Sequence, residues 1–400
     1  MGSPRPLDDL RPWQQALREQ FPIVVAHPDL VYLDSAATAQ KPQAVLDAVQ
    51  TYLTTTNANA GRGTYPWANA TTAMVERTRD RAKEFLDDPA PDQSAVHFTS
   101  GTTEGLRTVA RDWLTAPGFL RDGDEIVVPF ADHQANLSPW LEARDLLARQ
   151  GIRILVRALP YQESSGDYDF TALASMIGPC TRFIAATHVH HVYGGDMNVH
   201  RIRRVVGPEV PICLDAAQSI GHLPFSVAEL DVDFVVFSGH KTMALPGTGV
   251  IWAREARGPA FRPGGWNGTP NTAGIAALGA ALDWLDAAGM GRIERWTVAL
   301  ASRLTDGLSR MDAYDVLGCR QSLTTDSTVQ RRRSLVTFRH REIASNDLGF
   351  ILFSHGFMVR SDSHCQAGAR EKEGSVRVSL HVHNTPEEID ALLSTLANVQ

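Results

Sequence analysis

Short apolar runs alternate with helix-length segments through most of this chain, and that alternation limits its fold more than any other feature. The runs fall at 96–98, 125–128, 152–156, 183–186, 212–214, 234–237 and 250–252. Runs this short and this uniformly apolar read as strands buried on both faces, with the amphipathic segments between them as crossover helices. The pattern predicts an α/β fold: a mainly parallel, seven-stranded sheet with helices on both faces. In open sheets of this kind, ligand groups collect at the carboxyl ends of strands.

Two of those strand ends carry chemistry. The run at 234–237 stops at Ser238-Gly-His-Lys241. A lysine there can hold a phosphate as a point charge. Partly desolvated, it can instead attack a carbonyl and form a Schiff base. A surface lysine in a turn is the plain alternative. The run at 212–214 ends in Asp215-Ala-Ala-Gln218, and Asp215 stands 26 residues before Lys241. A lysine for an aldehyde, and a carboxylate to keep a pyridine nitrogen protonated, are what a pyridoxal phosphate (PLP) site needs. A third strand end, Ser100-Gly-Thr-Thr-Glu104, leads into an apolar helix expected over 106–114. Free backbone N–H groups, the hydroxyls of Thr102 and Thr103 and the helix dipole suit a phosphate dianion there. Simple capping by Thr102 would look the same locally.

With these residues in view, the chain resembles the class V aminotransferase-like PLP enzymes, and among them the cysteine desulfurase and selenocysteine lyase group. The segments that carry the resemblance are Tyr32-Leu-Asp-Ser-Ala-Ala37, Gly101-Thr-Thr-Glu-Gly105, Asp132-His133 with Ala135-Asn136, Thr187-His-Val189, Asp215-Ala-Ala-Gln218, Ser238-Gly-His-Lys241, Gly268-Thr-Pro-Asn271, His364-Cys365 and Arg377-Val-Ser-Leu380. They come in the family's order and span nearly the whole chain. The resemblance implies a fold-type I architecture. A large PLP-binding domain is expected at 31–265, and a small α+β domain at 266–400 with an N-terminal arm at 1–30. It also implies a homodimer and a small-molecule amino-acid substrate.

Carried over residue by residue, the resemblance makes Lys241 the catalytic lysine. His133 stacks on the pyridine ring and helps to move protons. Gly101, Thr102, Thr103, Asp215, Gln218, Ser238 and His240 are cofactor contacts, and Thr269 reaches the phosphate of the neighbouring subunit. Ala36, Arg62, His191, Arg360 and Arg377 fall on the substrate side, with Arg377 gripping the α-carboxylate as a bidentate fork. Cys365 matches the nucleophile that attacks the substrate sulfur; its polar neighbours argue against burial, and His364 or Arg360 would favour its thiolate. An inert small hydrophobe is its plain alternative.

Several positions depart from the family. Gly61 replaces a histidine before the loop arginine, and Gln134 replaces the second histidine of many relatives. His191 replaces an asparagine that contacts the substrate or ring oxygen. The connection at 254–261 lacks the hairpin carried by relatives that hand sulfur to a dedicated acceptor protein, which weighs against such a partner. A polar segment at 366–374 replaces a longer, more apolar one.

The function expected is cleavage of the C–S bond of L-cysteine or of an S-substituted L-cysteine. Desulfuration would use Cys365 and yield alanine. β-Elimination would need no enzyme cysteine and would yield pyruvate and ammonia, as suits a member recruited to a specialised biosynthetic pathway. The same scaffold hosts decarboxylating oxidative deamination, epimerisation and transamination. A non-catalytic PLP-binding protein is the reading from a different class, and the Asp215, Lys241 and Arg377 set weighs against it.

Composition excludes other classes. Four hundred residues exceed one typical core, so two units are expected. A net charge of −7 weighs against nucleic-acid binding. No run approaches the ~20 apolar residues of a membrane span, and 1–20 lacks a signal-peptide core. The four cysteines form no CxxC pair. Neither a disulfide framework nor a metal site is expected, His188, His190 and His191 having no ligand-spaced partners. A reduced, cytoplasmic protein follows. Two local expectations remain. The stretch 319–333, polar and arginine-rich, reads as an exposed loop. Asn384-Thr-Pro-Glu-Glu388 reads as a helix start with Thr385 as N-cap.

Overall fold

The computed structural model describes residues 7–162, 166–255, 258–263, 269–319, 332–367 and 374–399. Its main sheet has seven strands, numbered here in chain order: β1 Ser94–Thr99, β2 Glu125–Val128, β3 Leu155–Ala158, β4 Thr181–Thr187, β5 Ile212–Asp215, β6 Phe234–Ser238 and β7 Gly249–Arg254. Across the sheet they run β1-β7-β6-β5-β4-β2-β3. Only β7 is antiparallel to its neighbours β1 and β6; the other pairs are parallel.

Every residue of β5 and β6 is buried, because helices cover both faces. Alternate side chains divide between two cores. Val235 and Phe237 join one, with the helices Pro66–Phe85 and Thr272–Ala288. Phe234 and Val236 join the other, with Trp113 and Trp140. The edge strand β3 begins later than the run at 152–156 suggests. Ile152 and Ile154 pack into the second core before pairing starts, and Leu155 is exposed. The helix expected over 106–114 begins earlier, at Thr102, and its second half, Val109–Leu114, is a π-helical turn.

A third core gathers Leu7, Leu10 and Leu33 with Trp296, Leu304, Phe338, Val378 and Leu392. Its sheet is antiparallel, of strands β8 Tyr314–Val316, β9 Leu335–His340, β10 Arg360–Asp362 and β11 Ser375–Ser379 in the order β8-β9-β11-β10. The N-terminal helix Arg11–Arg18 lies across it, and Gln14 Nε2 donates to the carbonyls of Val382 and Asn384. The last helix, Pro386–Ala397, starts as expected, with a capping box between Thr385 and Glu388.

The two described arginines of 319–333 are not where exposure would put them. Residues 320–331 lie outside the described residues, but Arg332 is fully buried and Arg333 half-buried. Arg332 donates to main-chain oxygens of the described residues: Nε to Cys319 O (2.8 Å), Nη1 to Tyr193 O (3.0 Å) and Leu335 O (3.1 Å), and Nη2 to Leu317 O (2.7 Å) and Cys319 O. Four carbonyls thus satisfy the five N–H groups that would otherwise forbid burial. Arg333 pairs with Asp196 and Glu294. Together with Thr337, which donates to Val192 O, they fasten the segment 188–198 against the second sheet. That segment carries His191. No helix among the described residues is long and apolar enough to cross a membrane.

Candidate active site

The carboxyl ends of β4, β5 and β6 open into one cavity of about 260 Å³. Its walls hold Ala36, Thr102, Thr103, His133, His191, Asp215, Gln218, Ser238, His240, Lys241, Arg360 and Arg377. Residues drawn from a span of over 340 positions therefore meet because the strand ends they sit on are neighbours.

The cradle at the helix start is built by close backbone approach. Thr102 N–H donates to Ser238 Oγ (2.8 Å), and the two hydroxyls lie 2.7 Å apart. Gly101, with φ +154°, stands at the N-cap position and has no side chain of its own to cap the helix that follows. A Cβ on Gly249 would come within 2.5 Å of Gly101 Cα, so β7 can press against the cradle only as glycine.

Burial pulls the Lys241 amine down to about 8, against the opposing pull of Asp215. Burial pushes the Asp215 carboxyl up to about 6, although the Ala217 N–H bonds it at 2.9 Å. Burial, and then Lys241, Arg360 and Arg377, hold His133 down to about 4. Its Nδ1 accepts the Ala135 N–H (3.1 Å), so the proton of the neutral ring sits on Nε2.

His191 is likewise neutral, held well below the usual histidine range by burial and by the cations around it. Its ring meets that of His133 edge-on at 4.9 Å. Both its ring nitrogens are buried without a hydrogen-bond partner among the described residues, as are Gln218 Oε1 and Arg377 Nε.

Arg377 Nη2 donates to Asp34 Oδ1 (3.1 Å) and Nη1 to His191 O (3.0 Å). Asp34 is a site residue that sequence reading missed. It lies inside the Tyr32–Ala37 motif, where an acid in a tight turn was the available signal. His364, also in the wall, was read only as a neighbour of Cys365. Asp132, beneath His133, is buried but held below the usual carboxylate range. Burial alone would raise it; the His190 ring 3.3 Å away and the hydrogen bond from the Tyr168 hydroxyl (2.7 Å) outweigh that.

Four expected residues lie outside the cavity wall. Gly101 is adjacent to it through Thr102. Cys365 is exposed, with Sγ 3.4 Å from Nη2 of the wall residue Arg360. Thr269 lines a different cavity of about 790 Å³, together with Thr99, Ser100 and Asn271. Arg62 is exposed on its loop. Gly268, the first residue of the Gly268–Asn271 motif, lies outside the described residues.

The donor set fits PLP. A helix start with glycine at its N-cap suits its phosphate, Lys241 its aldehyde and Asp215 its ring nitrogen, and the unpartnered Gln218, His191 and Arg377 atoms offer polar contacts to the cofactor or to a bound amino acid.

Fold and site together define a fold-type I PLP-dependent enzyme. The chain belongs to the class V aminotransferase family, whose description, Aminotransferase class-V, matches residues 31–392. It is 32% identical to a probable cysteine desulfurase of Streptomyces coelicolor, covering 96% of this chain and 97% of that one. It is 31% identical to the cysteine desulfurase CsdA of Escherichia coli, covering 95% and 96%. Among solved structures it resembles the apo cysteine desulfurase of Thermococcus onnurineus, with a TM-score of 0.81 at 26% identity over 99% of this chain and 98% of that one. CsdA in its S-sulfonic acid form gives a TM-score of 0.78 at 29% identity over 96% and 97%.

Proposed function

We propose that this protein cleaves the C–S bond of L-cysteine and receives the sulfur on Cys365. The observation that carries this reading is the exposed Cys365 Sγ, 3.4 Å from the guanidinium of Arg360, which itself faces the cavity of Lys241. Relatives named cysteine desulfurase along the whole chain support it.

Bound PLP supplies an aldehyde for the substrate amine and a ring that accepts the electrons released at Cα. The chain does the rest. Asp215, ionised near neutral pH, keeps the ring nitrogen protonated. Arg377 offers Nε to the substrate α-carboxylate while Asp34 fixes its far side. Lys241, easily deprotonated because it is desolvated, takes the α-proton. The Cys365 thiolate attacks the substrate sulfur, so that an S–S bond forms as the S–Cβ bond breaks. The electron pair of that bond passes to the carbon side, which is protonated and leaves as alanine. His133, neutral with Nε2–H, would pack on the ring, and His191, also neutral, would offer its ring N–H to the substrate or ring oxygen.

The same reading includes a homodimer in which Thr269 reaches the partner's cofactor phosphate. Its support here is that Thr269 lines the larger cavity, away from Lys241. Arg62 would then steer substrate at the mouth. The division into 31–265 and a unit of 1–30 with 266–400, and a cytoplasmic location that keeps Cys365 reduced, belong to the reading too. The short connection at 254–261, without the hairpin of relatives that use a dedicated sulfur-acceptor protein, weighs against such a partner.

Product analysis of the PLP-loaded protein with L-cysteine, and with S-substituted cysteines, tests the proposal. Alanine together with persulfide on Cys365, both lost in Cys365→Ala, is the expected result. Pyruvate and ammonia, undiminished in Cys365→Ala, would instead make it a β-eliminating lyase. A keto product that retains sulfur would overturn C–S cleavage altogether.

A further inference from the structure

Asp362 ends β10, two residues after Arg360 and three before Cys365, and its carboxylate is committed in both directions. Towards the strand, Arg360 Nε lies 3.0 Å from each carboxylate oxygen and Nη2 2.9 Å from Oδ2. The same Nη2 reaches Cys365 Sγ at 3.4 Å. Towards the turn, Oδ1 accepts the His364 N–H and lies 3.0 Å from His364 Nδ1.

The turn needs holding. His364 and Cys365 have φ +56° and +58°, a left-handed conformation that non-glycine residues rarely adopt, let alone in succession. Beyond the Asp362 cap, His364 Nε2 lies 2.9 Å from Ser375 Oγ, and Cys365 O accepts the Gln134 N–H (3.1 Å). The sulfur is therefore presented on a strained turn, with a guanidinium placed against it by a carboxylate.

We propose that Asp362 is a positioning residue for Cys365, aiming the Arg360 guanidinium at the sulfur while it caps the turn. Arg360 spends its Nε and Nη2 on Asp362 and Cys365, so the α-carboxylate is left to Arg377, whose Nε has no partner among the described residues. This inference rests on Cys365 as the sulfur acceptor, but its test does not depend on turnover.

The test is the rate of Cys365 alkylation by iodoacetamide, followed on its own peptide by mass spectrometry in the PLP-loaded protein. The series is Asp362→Ala, Asp362→Asn, Arg360→Ala and the double variant Asp362→Ala/Arg360→Ala. Melting temperatures are measured alongside to establish that each folds. The Arg360 guanidinium against Sγ stabilises the negative charge that the sulfur carries as it attacks. Each single variant should therefore slow alkylation, by about tenfold, and the double variant should be no slower than Arg360→Ala, because the two residues act as one unit.

If Asp362 were only a negative charge near the thiol, its removal would speed alkylation, and that result would overturn the proposal. So would effects that multiply in the double variant. Asp362→Asn keeps the cap and loses the ion pair, so a wild-type rate in that variant would overturn the action through Arg360. With L-cysteine as substrate, Asp362→Asn should lower kcat while KM changes less than twofold, since Arg377 still holds the carboxylate. Loss of alanine formation with an unaltered alkylation series would count against the proposed function alone.

Discussion

At the scale of single residues, the site holds two groups against their preferences. Asp215 is the sharper case. Its folded-state pKa of about 6 lies above its ordinary value of 3.8. Below both values the carboxyl is protonated in either state and has no effect on stability. As pH rises from about 4 to 6 the unfolded chain sheds the proton first, so the cofactor-free protein loses stability over that window and stays penalised above it. We expect Asp215→Asn to stabilise the cofactor-free protein at pH 7 by roughly 2 kcal/mol, with no gain near pH 3.5. The same variant should bind PLP at least tenfold more weakly. Thermal melts at the two pH values and a PLP titration check this, and melts that shift equally at both pH values would refute the burial argument. Lys241→Ala should fold normally, yet lose both the visible PLP absorbance of the wild type and all product formation. An unchanged product rate would refute the assignment.

Lys241, Asp215 and the Thr102–Thr103 pair were legible because each ends an apolar run, and strand ends in such a sheet converge. Asp34 and Asp362 were not legible. Each acts by pairing with an arginine far away in the chain or two residues off, and no periodicity marks such a pair. Arg332 and Arg333 were misread outright. Arginine in a polar stretch signals solvent, and only the fold supplies the carbonyls and carboxylates that let these two be buried.

At the scale of elements, strands were located well and boundaries less well. The apolar run at 152–156 registered packing rather than pairing, so β3 came out displaced towards Ala158. The helix after Gly101 was legible by its apolar half alone, since its polar first turn faces the cavity. Two predictions belong here. Gly249→Ala should drive β7 off the Gly101 backbone, destabilising the protein by about 1–3 kcal/mol and weakening PLP binding. Denaturation midpoints with and without PLP would show both; an unaffected PLP affinity would mean that the cradle does not depend on this contact. Thr385→Ala removes one half of the capping box of Pro386–Ala397 and should cost about 1 kcal/mol without changing PLP binding.

At the scale of the whole molecule, the seven-stranded sheet brings Lys241 and Asp215, and the second sheet brings Arg360 and Arg377. The segment 188–198, with His191, is fastened between them. Arg333→Ala would strand Asp196 and Glu294 without their partner. The expected loss is roughly 3 kcal/mol, accompanied by weaker PLP binding because His191 is no longer held. Equal PLP affinity in the variant, with the fold weakened, would show that the segment keeps its place without the fastening.

Arg332 grips the chain through carbonyls, and carbonyls are the part of a protein that point mutation leaves alone. Two of the residues it grips, Tyr193 and Leu317, line a cavity of about 610 Å³ that borders His364. Descendants of this chain can exchange those side chains without disturbing the arginine. The joint stays fixed while the surface beside the Cys365 turn drifts, and new neighbours of that turn can be tried over generations without rebuilding the frame.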